Sequence, residues 1–333
     1  MRSYFRVPHI LNCLFATVFA AISSAALAED VPKVSVRLDF VPWGMHAGLH
    51  LAMEKGWFDE AKVAVTISDG KGSAVLMQQV ASGDVDVGWG LLSAAAVARG
   101  QGLPLISIAS LGRTGDLGFI VPKGQYKTVK SLEDHKIAYS AVTGAGPYLD
   151  VFLRVAGADK SKFQIVNVDP PAQASTFTSG SVEAVFSGLA YFLPIVSEVR
   201  PADTILMADV GIRVPGYGLV TTPRVIARNA EGLRRFVPVV VRAWEYIYDG
   251  HVDEGVAAIM KQRPDVKLDA KILKGQIEAY RNLFWTPRTK DKKFGWQSRE
   301  DWEDSLGILE QIKVIPPGWK VGDYFTNQFV SEK

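Results

Sequence analysis

One pattern limits the fold more than any other: a strand–turn–helix order that runs along the chain, stops, and begins again about a hundred residues later. Residues 34–38, 63–68, 85–89 and 105–109 are β-rich runs. Between them, residues 47–55 have helical spacing before Gly56, residues 73–82 lie between a capping candidate, Ser73, and Gly83, and residues 93–99 precede Gly100. Glycine just past a periodic run is a usual helix stop. This order predicts a parallel sheet with helices on both faces. The second series holds strands at 136–139, 164–168 and 184–186. Its helices open at Gly146-Pro147 and run over 173–179 before Gly180, with proline tolerated in a first turn. After Asn229 the chain turns mostly helical, with amphipathic stretches at 231–248, 253–261 and 300–312. The expectation is an α/β chain of two units with a helical C-terminal tail. Its ligand cleft would lie at the C-terminal ends of the strands, where open α/β sheets bind ligands, and hinge closure would trap what enters.

The first residues carry an address. Arg2 and Arg6 precede an apolar stretch over 10–22 and then Ala26-Leu27-Ala28. A charged start, an apolar centre and a small-x-small site predict a cleaved export signal over 1–28, cut after Ala28. The apolar stretch is shorter than the roughly 20 residues of a spanning helix. Cys13 is the single cysteine and falls inside this segment, so the mature chain is expected to have no disulfide, thiolate metal site or cysteine nucleophile. Apart from Arg2 and Arg6, basic and acidic residues balance at 35 each, which speaks against a nucleic-acid binder.

Candidate binding residues come from the loops after the strands. They are Asp39, Phe40, Trp43 and His46 after the first, Lys71, Gly72 and Ser73 after the second, and Trp89 and Ser93 around the third. In the second series they are Thr143, Gly144, Tyr148, Ser187 and Tyr191, with Arg113 between the two units. Phe40, Trp43, Trp89, Tyr148 and Tyr191 suit a stacking box for a flat ligand. Helix starts at Ser73 and Pro147 offer free N–H groups to an anionic or carbonyl group. Lys71 and Arg113 are candidate anion partners. His46 is placed either to hydrogen-bond a ligand or to be satisfied structurally. No G-x-S-x-G, H-E-x-x-H or G-x-x-x-x-G-K pattern occurs, so no catalytic residue, cofactor or metal is expected.

Several of these segments carry a family resemblance. Leu38-Asp39-Phe40-Val41-Pro42, His46-Ala47-Gly48 and Glu54-Lys55-Gly56-Trp57-Phe58 resemble the opening of the thiamine-pyrimidine family. That family includes formylaminopyrimidine-binding proteins and the fungal thiamine pyrimidine synthase. The stretch QQVASGDVDVG over 78–88 is similar to the wider taurine-, alkanesulfonate- and nitrate-type binding proteins. Ile315-Pro316-Pro317 and Asp323-Tyr324-Phe325-Thr326-Asn327 resemble the narrower family's tail. The resemblance implies a two-lobed type II periplasmic binding protein fold. Its expected parts are 29–112 as the first part of lobe 1, 113–212 as lobe 2, and 213–333 returning to lobe 1 with the tail.

It also implies a monomeric periplasmic solute-binding component of an ABC importer, with an inner-membrane permease as partner. The ligand would be a small (hetero)aromatic, with a thiamine-precursor pyrimidine as one candidate and a sulfonate or aromatic carboxylate as the alternative. Phe40, Trp43, Trp89 and Tyr191 would carry the family's aromatic sandwich. Two departures bear on the pyrimidine: Trp43 stands where the family often has asparagine, and residues 187–191 lack the acid that its pyrimidine binders use there. The synthase's cofactor lysine and reacting histidine fall at Gly90 and Ala94, which sets the enzyme reading aside. A sensor domain facing a membrane partner is the remaining alternative.

Overall fold

The computed structural model describes residue 1, residues 31–281 and residues 283–332. Apart from Met1, the expected export signal, with Cys13 and the cut after Ala28, lies outside the described residues.

Ten strands form two five-stranded sheets among the described residues. The strands are β1 (Lys33–Leu38), β2 (Ala64–Ser68), β3 (Val87–Leu91), β4 (Ile106–Ser110), β5 (Leu117–Pro122), β6 (Lys136–Tyr139), β7 (Gln164–Asn167), β8 (Ala184–Gly188), β9 (Ala202–Leu206) and β10 (Tyr217–Thr221). The first sheet has the order β2-β1-β3-β10-β4 and the second β7-β6-β8-β5-β9. Each sheet starts as the sequence predicts, since β1 pairs in parallel with β2 and β3, and β6 with β7 and β8.

The expectation of wholly parallel sheets is corrected by one strand in each. β10 runs antiparallel between β3 and β4, and β5 antiparallel between β8 and β9. The chain leaves the first sheet after β4, builds the second, and returns as β10. The connections over 111–116 and 207–216 are therefore two crossings between the sheets. β5, β9 and β10 went unrecognised in the sequence, where the strand–helix alternation breaks: no α-helix separates β4 from β5 or β9 from β10. β5 and β10 are buried along their whole length, and a short continuous apolar run does not reveal its strand direction.

Helices pack on the first sheet as α1 (Ala47–Glu54), α2 (Trp57–Glu60), α3 (Ser73–Ser82) and α4 (Leu92–Gly100). The second sheet carries α5 (Leu149–Val155), α6 (Gln173–Thr178) and α7 (Leu189–Val196). The tail is α8 (Pro223–Tyr248), α9 (Val252–Gln262), α10 (Ala270–Arg281) and α11 (Arg299–Gln311). α8 begins with Thr222 accepting from Val225 N, an ordinary side-chain cap, and it kinks at Asn229. Its apolar face, including Phe236, Val240 and Trp244, is buried. No described helix is long and apolar enough to cross a membrane.

α1 begins directly behind the first candidate loop, and a buried histidine fixes it. The Nδ1 of His50 donates to Gln262 Oε1 at 2.8 Å, while Gln262 Nε2 donates to the His50 carbonyl at 2.8 Å. This joins α1 to the end of α9. Burial lowers the His50 pKa from 6.5 to about 4. The unfolded chain takes up this proton near pH 6.5 and the folded chain resists it until about pH 4, so the stability that neutral His50 preserves is intact above 6.5 and lost as pH falls through that window. Unfolding titrations should show a loss of about 3 kcal/mol from this group across it, and His50→Gln should remove that part of the slope. Identical pH dependence in the two proteins would contradict the assignment.

Candidate functional site

A buried carboxylate organises the wall at the C-terminal end of β1. Asp39 is 5% exposed, yet it lines a cavity between the two sheets' strand-end loops. Its Oδ2 accepts from Ser73 Oγ at 3.2 Å and from Tyr217 OH at 2.8 Å. Its Oδ1 faces His46 Nε2 at 3.2 Å and accepts from Trp43 Nε1 at 3.5 Å. The His46 tautomer follows from its other nitrogen. Nδ1 accepts from Trp43 N at 3.3 Å, so in the neutral ring Nε2 carries the hydrogen and donates to Asp39. The long Trp43 contact leaves Oδ1 with acceptor capacity toward the cavity.

Ser73 was expected to cap α3, and the structure corrects this. Gly72 is the cap residue, and its φ of +119° is open to glycine alone at low cost. A side chain there would also meet Val142 O at 2.3 Å, so the loop of the first sheet and the loop of the second approach here through bare backbone. Ser73 takes the first helical position instead, where its Oγ bridges Asp39 and the Leu91 N–H. Asp39 thus ties together the ends of β1, β3 and β10 and the start of α3.

The cavity encloses about 520 Å³ of empty space, part of it open to solvent. Of the residues singled out in the sequence, Asp39, Phe40, Trp43, Gly72 and Ser73 line it from the first side. Thr143, Gly144, Ser187 and Tyr191 line it from the second. The rings meet edge to face: Trp43 and Tyr191 at 5.2 Å between centroids, and Phe40 and Tyr191 at 6.0 Å. Burial, and then the Asp39 charge, push the Tyr191 hydroxyl up to about 12. The same two causes, with Asp116 added, raise Tyr217 well above its ordinary value.

The other candidates stand elsewhere. His46 and Trp89 are fully buried behind the wall, edge to face at 5.9 Å. Ser93 and Tyr148 are buried and joined to each other, the Tyr148 hydroxyl donating to the Ser93 carbonyl at 3.1 Å. Lys71 is exposed outside the lining. Arg113, considered as an anion partner, points away: its guanidinium donates to the carbonyls of Phe284, Lys293 and Trp296. Burial lowers its pKa to about 10.

Sequence reasoning missed Tyr217, Gln173 and Phe192, which also line the cavity. Gln173 and Phe192 lie on helices behind strand-end loops that had been noticed. Tyr217 opens β10, the returning strand that had no local signal. Asp116 was missed as well. It is buried in the first crossing, and its Oδ2 accepts from Ala190 N at 2.7 Å while its carbonyl accepts from Leu189 N at 3.1 Å. It therefore occupies the first N–H groups of α7, and burial raises its pKa. None of the described residues lining the cavity is Lys, Arg or His. Among the described residues no three His, Cys, Asp or Glu side chains are grouped to hold a metal.

Comparison with known proteins agrees with this architecture. The NMT1/THI5 like family model matches residues 43–251. A formylaminopyrimidine-binding protein of Halalkalibacterium halodurans is 22% identical over 309 residues, covering 90% of this chain and 92% of that protein. A 4-amino-5-hydroxymethyl-2-methylpyrimidine phosphate synthase of Saccharomyces cerevisiae is 29% identical over 315 residues, covering 90% and 88%. The periplasmic aliphatic sulphonate binding protein of Escherichia coli superposes with a TM-score of 0.66 at 13% identity, covering 87% and 96%. The fold is that of the two-lobed periplasmic binding proteins.

The Asp39 cluster yields a stability prediction. Asp39→Asn should lower the unfolding free energy by about 2–4 kcal/mol, because four donors lose a charged acceptor, and Tyr217→Phe by about 1–2 kcal/mol. Urea unfolding checks both. Changes below about 0.5 kcal/mol in both variants, the range of ordinary surface substitutions, would show that the cluster does not hold the wall.

Proposed function

Given that this chain belongs to the NMT1/THI5 like family, we propose that it is the exported, monomeric solute-binding component of an ABC importer. It captures a small, flat, nitrogen-bearing aromatic ring, of which thiamine-precursor pyrimidines are the leading class. One observation carries the ligand class: the cavity presents the Asp39 carboxylate between aromatic rings and no basic side chain among its described lining residues. A carboxylate in a poorly solvated wall favours a partner with an N–H edge or positive charge and disfavours an anion. Phe40 and Tyr191 supply faces and edges for a ring. The relative from Halalkalibacterium halodurans, named for binding formylaminopyrimidine, supports the same class.

The anion reading draws on the sulphonate-binding neighbour and on helix N-termini at the cavity. At α7, however, Asp116 already takes the first two N–H groups. The enzyme reading has the yeast synthase behind it. Against it, Gly90 and Ala94 stand where the synthase's lysine and histidine would fall, and neither residue carries a reactive side chain.

A thermal-shift panel separates these readings. Hydroxymethyl- and formylaminopyrimidines should raise the melting temperature of the purified protein, through preferential binding to the native state, while alkyl and aryl sulfonates leave it unchanged. Phe40→Ala should weaken pyrimidine binding by about 1–3 kcal/mol, as loss of ring stacking does. A shift with sulfonates alone would overturn the proposal.

A further inference from the structure

The tail helix α10 carries a buried glutamine that touches both sides of the cavity. Gln276 is 2% exposed. Its Oε1 accepts from Gly44 N at 2.9 Å, and its Nε2 donates to the Tyr191 carbonyl at 3.0 Å. A backbone N–H can only donate and a carbonyl can only accept, so the orientation of the amide is fixed by its partners. Gly44 directly follows Trp43 on the side of the first sheet. Tyr191 belongs to α7, on the side of the second. The rings these two backbones carry, Trp43 and Tyr191, are the pair that meets at 5.2 Å across the cavity.

α10 packs against α7 of the second sheet as well as against α9. On the first side the Ile277 carbonyl accepts from Tyr248 OH of α8 at 2.8 Å, and Lys274 pairs with Asp253 of α9. Within this contact the Gln276 amide joins Gly44 of the first side directly to Tyr191 of the second. Other bonds cross as well, Tyr148 OH to the Ser93 carbonyl and Arg154 Nη2 to the Ile312 carbonyl. Neither involves a residue of the cavity wall. An exposed ion pair, Lys271 with Glu198, crosses near Gln276 with side chains 76% and 59% exposed, and pairs of that kind contribute little.

We infer that Gln276 is the positioning residue that clasps the cleft. Its single amide holds Gly44 and Tyr191 together and thereby sets the spacing of the Trp43 and Tyr191 rings. Only a side chain carrying both an acceptor and a donor at this length meets both partners. The clasp biases the two sides toward the closed arrangement, and a ligand binding between them would add to that bias. This rests on the cavity being the ligand site and does not depend on which ligand enters.

The test needs no ligand. In a Cys13→Ser background, which removes the single cysteine, exposed positions Gln78 on α3 and Ser175 on α6 are changed to Cys and spin-labelled. Pulsed electron–electron resonance then reads the distance across the cleft. The ligand-free protein should show a short-distance population. Gln276→Met, which keeps apolar bulk but lacks the amide, and Gln276→Ala should each reduce the closed-to-open ratio about fivefold or more, the effect of losing a buried hydrogen bond. Lys271→Ala should leave the distribution unchanged. Circular dichroism confirms that each variant is folded. An unchanged ratio in a folded Gln276 variant would overturn the inference, and so would the absence of a short-distance population in the ligand-free protein before any Gln276 substitution. Because no ring is added, failure here is distinct from failure of the pyrimidine panel.

Discussion

Everything near the cavity depends on one carboxylate accepting donors from distant parts of the chain. Asp39 gathers the Ser73 and Tyr217 hydroxyls, the His46 ring and the Trp43 indole. Ser73 is 34 residues away and Tyr217 is 178 residues away. A carboxylate buried to this degree is costly unless hydrogen-bonded, and four donors meet that requirement. The result is a wall in which a negative charge, a reactive-looking histidine and two aromatic rings are all held in fixed positions. His46 is better understood through this network than as a ligand group, because one ring nitrogen is occupied by Trp43 N–H and the other by Asp39.

The second organising constraint is the double crossing of the chain. β5 and β10 lie antiparallel among strands whose βαβ neighbours are parallel. Each crossing delivers a functional group. Asp116 from the first caps α7, and Tyr217, at the end of the second, reaches Asp39. With the tail helices laid on the first side, Gln276 then reaches across to Tyr191.

These long-range features explain what the sequence did and did not disclose. Periodicity located β1, α1, α3, β6 and β8 to within a few residues, since each has local signals: a β-branched run, helical spacing or a terminating glycine. The rule that ligands sit beyond strand ends placed Asp39, Phe40, Trp43, Ser73, Thr143, Ser187 and Tyr191 together. It did not distinguish side chains facing the cavity from those facing the core. Trp89, Ser93 and Tyr148 follow the same rule and are buried. Arg113 looked like a free cation in the sequence, and only the fold shows three carbonyls around it. Tyr217, Asp116 and Gln276 carry no local pattern at all. Their roles come from partners tens to hundreds of residues away, and spacing along a single sequence does not report such contacts.

The central claim is that an uncharged or cationic ring sits in the cavity against Phe40 and Tyr191 with its N–H edge toward Asp39. A crystal structure of the purified protein grown with 4-amino-5-hydroxymethyl-2-methylpyrimidine tests it most directly. The account predicts the ring in this cavity, with a nitrogen within hydrogen-bond distance of Asp39 Oδ1. A ring bound elsewhere, or an anion occupying the cavity while the pyrimidine is left out, would contradict it.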